Sequence, residues 1–281
     1  MQQFYDELDA LYSTGDREAI EKYILGAIAE TDENSPERAA LYNELAGHYR
    51  GVSSFARSAD AFAKSMEIFE ANGMGATAEY ATVLLNLAGL HRIQGEAEKA
   101  IALFHDAKQK LENAGAQTGY AYVSILNNLA LAHQEKGDYP LALELATTAL
   151  ERLRAENESG NEHEIAASLN NLAAINISLK NYAEADTRIT EALAVYEAMP
   201  EPDVHLAAAL TTKAVILCRS GQYRDALEGF AKSLELTRRF FGENIEYAIC
   251  KRNMADVYEL LGDGEAARNA RKEAAAIIEK Q

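Results

Sequence analysis

Leu126-Asn127-Asn128-Leu129-Ala130, followed seven residues after its alanine by Gly137, is the stretch from which the rest of the chain can be read. Near-copies stand on both sides of it. Leu84-Leu85-Asn86-Leu87-Ala88 leads to Gly95, and Leu169-Asn170-Asn171-Leu172-Ala173 leads to Lys180-Asn181. Leu210-Thr211-Thr212-Lys213-Ala214 leads to Gly221, Arg252-Asn253-Met254-Ala255 leads to Gly262, and Tyr42-Asn43-Glu44-Leu45-Ala46 lies upstream. With the alanine as origin, the intervals are 42, 42, 43, 41 and 41 residues. Self-similarity at such a period is the mark of a stacked-repeat architecture.

Other columns keep the same phase. Twelve residues after the origin come Ala100, Ala142, Ala185, Ala226 and Ala267. Sixteen after come Phe62, Phe104, Ala146, Ile189 and Phe230, then Arg271; nineteen after come Ser65, Ala107, Ala149, Ala192, Ser233 and Ala274. Small residues at fixed spacing let two helices approach, and large apolar residues one turn away fill the space between them. Each unit therefore reads as helix, short glycine turn, helix, then a polar connector. Glycine suits the left-handed residue that ends a helix, and in the fourth repeat Asn181 is expected to take that place. The connectors are Asn72-Gly73-Met74-Gly75, Ala114-Gly115-Ala116-Gln117, Glu158-Ser159-Gly160-Asn161, Pro200-Glu201-Pro202 and Gly242-Glu243-Asn244. Six repeats are expected over 36–71, 76–112, 118–155, 162–197, 202–240 and 244–279. A degenerate helical pair around Gly15 precedes them over 3–31. Ser35-Pro36 is a strong helix start, with Ser as cap and Pro at the first helical position.

These residues resemble the tetratricopeptide repeat family, whose signature is the origin alanine, the turn glycine and the two later small columns. The 42-residue period and the Leu-Asn-Asn-Leu-Ala string are similar to the repeats of kinesin light chains and their bacterial relatives. The helix-opening tryptophan is replaced by Leu84, Leu126, Leu169 and Leu210, and the closing proline of a 34-residue repeat is missing. The resemblance covers nearly the whole chain. It implies an all-α fold, an α-solenoid wound as a right-handed superhelix of antiparallel helix–turn–helix repeats in a single domain over 1–281. It is specific for fold and weak for function.

Composition narrows the function classes. The formal net charge of −17 makes nucleic acid and anionic membrane poor partners. No run of about 18 apolar residues is present to span a bilayer. The acidic N-terminal stretch lacks the basic and apolar regions of a signal peptide, so the cytoplasm is the expected compartment. Cys218 and Cys250 lack CxxC spacing and are expected as free thiols. No phosphate loop, zinc motif or nucleophile–base constellation occurs, so an enzyme is not expected, nor any cofactor or metal. His91 and His133 share a column with Tyr49 and Tyr258, which reads as a packing slot for a ring.

The resemblance implies that the first helix of each pair lines a concave groove. The column two residues before the origin reads Glu44, Asn86, Asn128, Asn171, Thr212 and Asn253. Asparagine costs about 0.6 kcal/mol against alanine inside a helix, so repeated use in one register needs a reason. An amide offers a donor and an acceptor, which suits a peptide backbone. The family resemblance implies such a role for Asn86, Asn128 and Asn171, with amides free of scaffold partners. Asn127 and Asn170, one residue earlier, extend the polar stripe. Cations lie at both ends: Arg50 and Arg92 four residues after the origin, then Lys213, Arg219 and Arg252. The expected partner is thus a protein or peptide in extended form with acidic flanks, bound by a monomer or weak homodimer acting as a non-catalytic adaptor. A self-associating scaffold and a regulator that senses a signalling peptide remain as alternative readings.

Overall fold

A computed structural model describes residues 1–156, 161–199 and 204–280. Two of the connectors named above, at 158–160 and 200–202, lie outside the described residues. Every regular element described is an α-helix. The chain divides into two compact units, residues 1–156 and 157–281.

The first unit holds eight helices: α1 (Gln2–Thr14), α2 (Arg17–Glu30), α3 (Pro36–Gly51), α4 (Phe55–Ala71), α5 (Ala78–Ile93), α6 (Ala97–Asn113), α7 (Tyr120–Glu135) and α8 (Tyr139–Glu156). Among the described residues the second holds six: α9 (Glu162–Ser178), α10 (Tyr182–Glu197), α11 (Val204–Arg219), α12 (Tyr223–Phe241), α13 (Ile245–Leu260) and α14 (Gly264–Ile278). Consecutive helices pair as hairpins. In the first unit α4 packs on α5 and α6 on α7; in the second α10 packs on α11 and α12 on α13. First helices also touch one another in a row, α3–α5–α7 in one unit and α9–α11–α13 in the other. That row places the first helices on the inner side of each unit.

The sequence columns explain the packing. All six origin alanines, from Ala46 to Ala255, have no accessible surface. They are the points where the two helices of a hairpin cross. Ser58 and Ser65 stand in the small columns of the first repeat and are fully buried. Each hydroxyl donates to a carbonyl of the facing helix, Ser58 to Ala46 at 2.8 Å and Ser65 to Ala39 at 2.7 Å. A serine is tolerated there because its only polar group is satisfied. Phe62, Phe104, Ile189 and Phe230 fill the hairpin interiors. In the last repeat Arg271 takes this column and pairs instead with Asp256 and Glu259 on the exposed surface.

Each first helix ends in one motif. The residue seven after the origin has positive φ at Ser53, Gly95, Gly137, Lys180, Gly221 and Gly262. The next N–H then reaches back five residues, as from Glu96 to the His91 carbonyl and from Asp138 to the His133 carbonyl, both at 2.9 Å. This satisfies carbonyls that the helix end would leave open. In the fourth repeat the left-handed residue is Lys180, not Asn181 as the sequence suggested. Asn181 instead makes the back-reaching bond, to the Asn176 carbonyl at 2.8 Å. The closing bond fixes which position must turn, and the residue type follows.

Candidate functional site

In the first unit, α3, α5 and α7 present their inner faces together, and the asparagine column lies along them. Asn86 and Asn128 are half-buried. The Asn86 amide donates to Asn43 Oδ1 at 3.1 Å, and the Asn128 amide donates to the Ser124 carbonyl of its own helix at 2.9 Å. Both Nδ2 groups are thus engaged within the scaffold, where the sequence suggested free amides. Asn127 is buried, with 8% of its surface exposed.

Arg50 crosses from α3 to α5. Its Nη1 donates to the Asn86 carbonyl at 2.9 Å. The passage is open because residue 89 is glycine: a Cβ there would lie 2.7 Å from Arg50 Nη1. The small residue at position 89 therefore makes room for a guanidinium of the scaffold. Burial depresses the Arg50 pKa, and the Arg92 charge adds to that, while Tyr120, Tyr12 and Glu44 act the other way. Arg92 Nη1 meets Glu135 at 2.6 Å, and Arg92 Nε is buried with no hydrogen-bond partner among the described residues. Glu44 sits in the asparagine column of the first repeat. Burial raises its carboxyl above the ordinary carboxylate range, Asp9 adds to the push, and Arg50 and a hydrogen bond from Asn43 oppose it. Sequence reasoning passed over this chain from Glu44 through Asn43 and Asn86 to Arg50. Each residue was visible in its column, but no column shows the contacts between repeats.

The second unit treats its cations differently. Lys213 Nζ lies 2.6 Å from Asp186 and 3.3 Å from Thr190, so α10 holds it. The sequence placed it among the cations of the groove; its ammonium is engaged in an ion pair of the scaffold. Lys251 is held by Glu273 at 2.7 Å. Arg219 is exposed at the end of α11. Arg252 is exposed and borders an open depression of about 450 Å³ with Asp256, Arg271, Ala275 and Ile278, so it lies with α14 residues. Asn171 and Asn253 are half-buried, as is Asn170, whose Oδ1 is buried without a partner among the described residues. The structure thus gathers Arg50, Arg92, Asn86, Asn127 and Asn128 in the first unit. In the second unit Lys213 and Arg252 are drawn to α10 and α14 respectively.

His91 and His133 sit beside the start of the following helix. His91 Nδ1 is 2.5 Å from Glu96, and His133 Nδ1 is 3.8 Å from Asp138. Among the described residues no group of three or more His, Cys, Asp or Glu side chains is placed to hold a metal. No described helix is long and apolar enough to cross a membrane. Cys218 and Cys250 are free thiols, and burial pushes the Cys250 thiol up to about 11.

The family model of the tetratricopeptide repeat matches residues 121–198 and 205–280, more than half of the chain. Among curated proteins there is no match. Similar solved structures include NprR in complex with its cognate peptide NprX, with a TM-score of 0.71 and 15% identity, covering 98% of this chain and 77% of that one. The Rap conjugation gene regulator of plasmid pLS20, in complex with the Phr* peptide, has a TM-score of 0.71 and 17% identity, covering 98% and 71%. A Rap protein complexed with competence and sporulation factor has a TM-score of 0.63 and 14% identity, covering 100% and 99%. At these identities the likeness is one of fold.

Proposed function

Because the chain belongs to the tetratricopeptide repeat family, we propose that it is a non-catalytic adaptor that holds an extended segment of a partner protein on the inner face of its first helices. The observation that carries this is the row of touching first helices α3–α5–α7, which bears the half-buried Asn86 and Asn128 together with Arg50 and Arg92. Neighbouring helices pack about 8–10 Å apart, and an extended peptide advances about 3.3 Å per residue. One side chain per repeat then meets roughly every third peptide residue. With Nδ2 of Asn86 and Asn128 held by the scaffold, their Oδ1 atoms are the groups left to accept peptide N–H bonds. Affinity would come from backbone contacts, and selectivity from charge, with acidic peptide segments favoured.

The peptide complexes recorded for NprR and the pLS20 Rap regulator support the choice of a peptide over a folded surface, and favour a second reading in which the bound segment is a signal. The 42-residue period supports a kinesin-light-chain-like subtype. We place the protein in the cytoplasm as a monomer or weak homodimer. The test is fluorescence anisotropy of the full chain against an array of labelled 12-residue peptides, with the Asn86, Asn128 and Asn171 to Ala triple variant beside it. Hits that the triple variant no longer binds support the reading. Hits rich in Lys and Arg, or binding untouched by the three changes, would overturn it.

A further inference from the structure

The geometry points to a homodimer contact on the outer side of α2, where two copies of this chain cross in antiparallel sense at Gly26. The inner side of the first helices takes no part in it, so it stands or falls apart from the adaptor reading.

α2 buries Ile20, Ile24 and Ile28 and turns Glu18, Lys22, Leu25, Gly26 and Ala29 outward. Leu25 is 43% exposed. With Glu18, Glu21, Lys22 and Gly26 it lines an open depression of about 580 Å³. A lone exposed leucine is ordinary. The glycine beside it is not, because glycine weakens a helix interior relative to alanine. Gly89 and Gly229 sit inside helices for a visible reason: a Cβ would press on Arg50 at the first and lie 3.1 Å from the Ala214 methyl at the second. Gly47 belongs to the row of first helices. A Cβ at Gly26 would meet nothing within 4 Å, so no neighbour in the chain calls for glycine there.

The repeat frame sets this place apart. Ten and eleven residues after the left-handed turn residue, α4, α6 and α12 carry Ala63-Lys64, His105-Asp106 and Ala231-Lys232. Every other second helix has a polar side chain in at least one of the two places. After Gly15 the same places hold Leu25-Gly26. The outer surface that is polar elsewhere is apolar and bare here, and a second helix can lie on it at close backbone distance.

The occupant follows from charge. Lys22 and Glu30 stand four residues to either side of Gly26, both exposed, and neither forms an ion pair among the described residues. Eight residues, about 12 Å of helix, keep them from each other within one chain. In the commonest helix packing, the rows of every fourth residue on the two helices run alongside one another. Two copies of the row Lys22, Gly26, Glu30, laid antiparallel with the glycines at the crossing, put each Lys22 against Glu30 of the other copy. The row is thus complementary to itself, as a two-fold contact requires. Glu21, in the same depression, is already held by Arg57 and by the Tyr49 hydroxyl at 3.1 Å. One helix crossing covers less than the roughly 1,200 Å² of a stable complex, so the dimer is weak and reversible.

The experiment is sedimentation equilibrium of the full chain from about 5 to about 500 μM in about 150 mM NaCl, where repulsion between two chains of charge −17 is screened. The average mass should rise with concentration from 30.7 kDa toward that of two chains. Lys22→Glu and Glu30→Lys should each weaken the dimer about tenfold, because like charges then face each other twice. An equal mixture of these two variants should recover it, since the two altered side chains then meet as opposite charges. Gly26→Gln should abolish the dimer while the melting temperature holds or rises, because its Cβ has open space and glutamine is the better helix former. A mass of one chain at every concentration overturns the proposal. A dimer that Gly26→Gln and both charge variants form as readily as the parent assigns the contact to another surface and also overturns it. Single variants that are weakened, with no recovery in the mixture, overturn the antiparallel pairing.

Discussion

Asn86 and Asn128 share one column, yet their amides do different work. Asn86 reaches one repeat back to Asn43 Oδ1, itself only 8% exposed. Asn128 has Leu85 at the corresponding position and no acceptor to reach, so it turns back to the carbonyl of Ser124. Replacing Asn86 by Ala leaves a buried acceptor unpaired, a loss of about 1–3 kcal/mol. The better helix propensity of Ala returns about 0.6 kcal/mol. A net destabilisation of about 1 kcal/mol is expected. Asn128→Ala removes only a local back-bond and should be neutral or stabilise by about 0.5 kcal/mol. Urea denaturation of the full-length variants checks both. Equal effects would mean that the contact between repeats contributes nothing. The asparagine column was legible in the sequence because it repeats. Its bonding was not, because the partner is chosen by a residue 43 positions earlier. Arg50 is the same case: its charge could be read directly, whereas its depth depends on Gly89 one repeat on.

At the scale of the helix, the columns that set packing were legible because every repeat imposes the same geometry on them. The origin alanines and small columns are buried as their spacing implied. The left-handed residue at the end of each first helix tests how far geometry overrides residue type. Lys180 takes φ 62° there, and Gly137 takes 83°. A non-glycine residue held in that region costs about 1–2 kcal/mol. Lys180 is exposed and its side chain makes no hydrogen bond or ion pair among the described residues, so Lys180→Gly should stabilise by about 1 kcal/mol, and Gly137→Ala should destabilise by a similar amount. Thermal melts of the two variants should therefore move in opposite directions. The packing of α3 adds a pH dependence. His48 is 5% exposed against the rings of Tyr12 and Tyr49. Burial lowers its pKa from 6.5; Glu21 opposes this, and Arg57 and Arg17 add to it. A proton therefore binds the unfolded chain more readily than the folded one. The stability His48 contributes is complete above its unfolded pKa and is lost as pH falls through its lowered folded value. The drop in denaturation midpoint between pH 8 and pH 5 should be smaller in His48→Phe than in the parent chain. An equal drop in both would assign the pH dependence to the carboxylates alone.

At the scale of the whole molecule, a net charge of −17 sets a field that an acidic partner must cross. In the proposed reading the inner-face arginines and this field act on an acidic peptide with opposite signs and over different distances. The field reaches through solvent and is cut off at about 30 Å in 10 mM salt and about 8 Å in 150 mM salt. Arg50 acts only at contact, where burial keeps mobile ions out. Association of an acidic 12-residue peptide that the chain binds should therefore become faster as NaCl is raised from about 10 to about 150 mM, because long-range repulsion is screened. Its dissociation rate should change little if its carboxylate rests on the half-buried Arg50, where salt screens less. Its counterpart with Gln and Asn in place of Glu and Asp should show neither dependence. The same screening relieves repulsion within the chain, so the melting temperature of the free protein should rise with salt. The exposed ion pairs that salt weakens are worth little individually and should not reverse that rise. Stopped-flow fluorescence of labelled peptides gives the two rate constants separately. Association that slows with salt would mean that local cations, and not the net charge, steer the encounter. Dissociation that quickens severalfold for the acidic peptide would mean that its carboxylates rest on exposed arginines and not on Arg50.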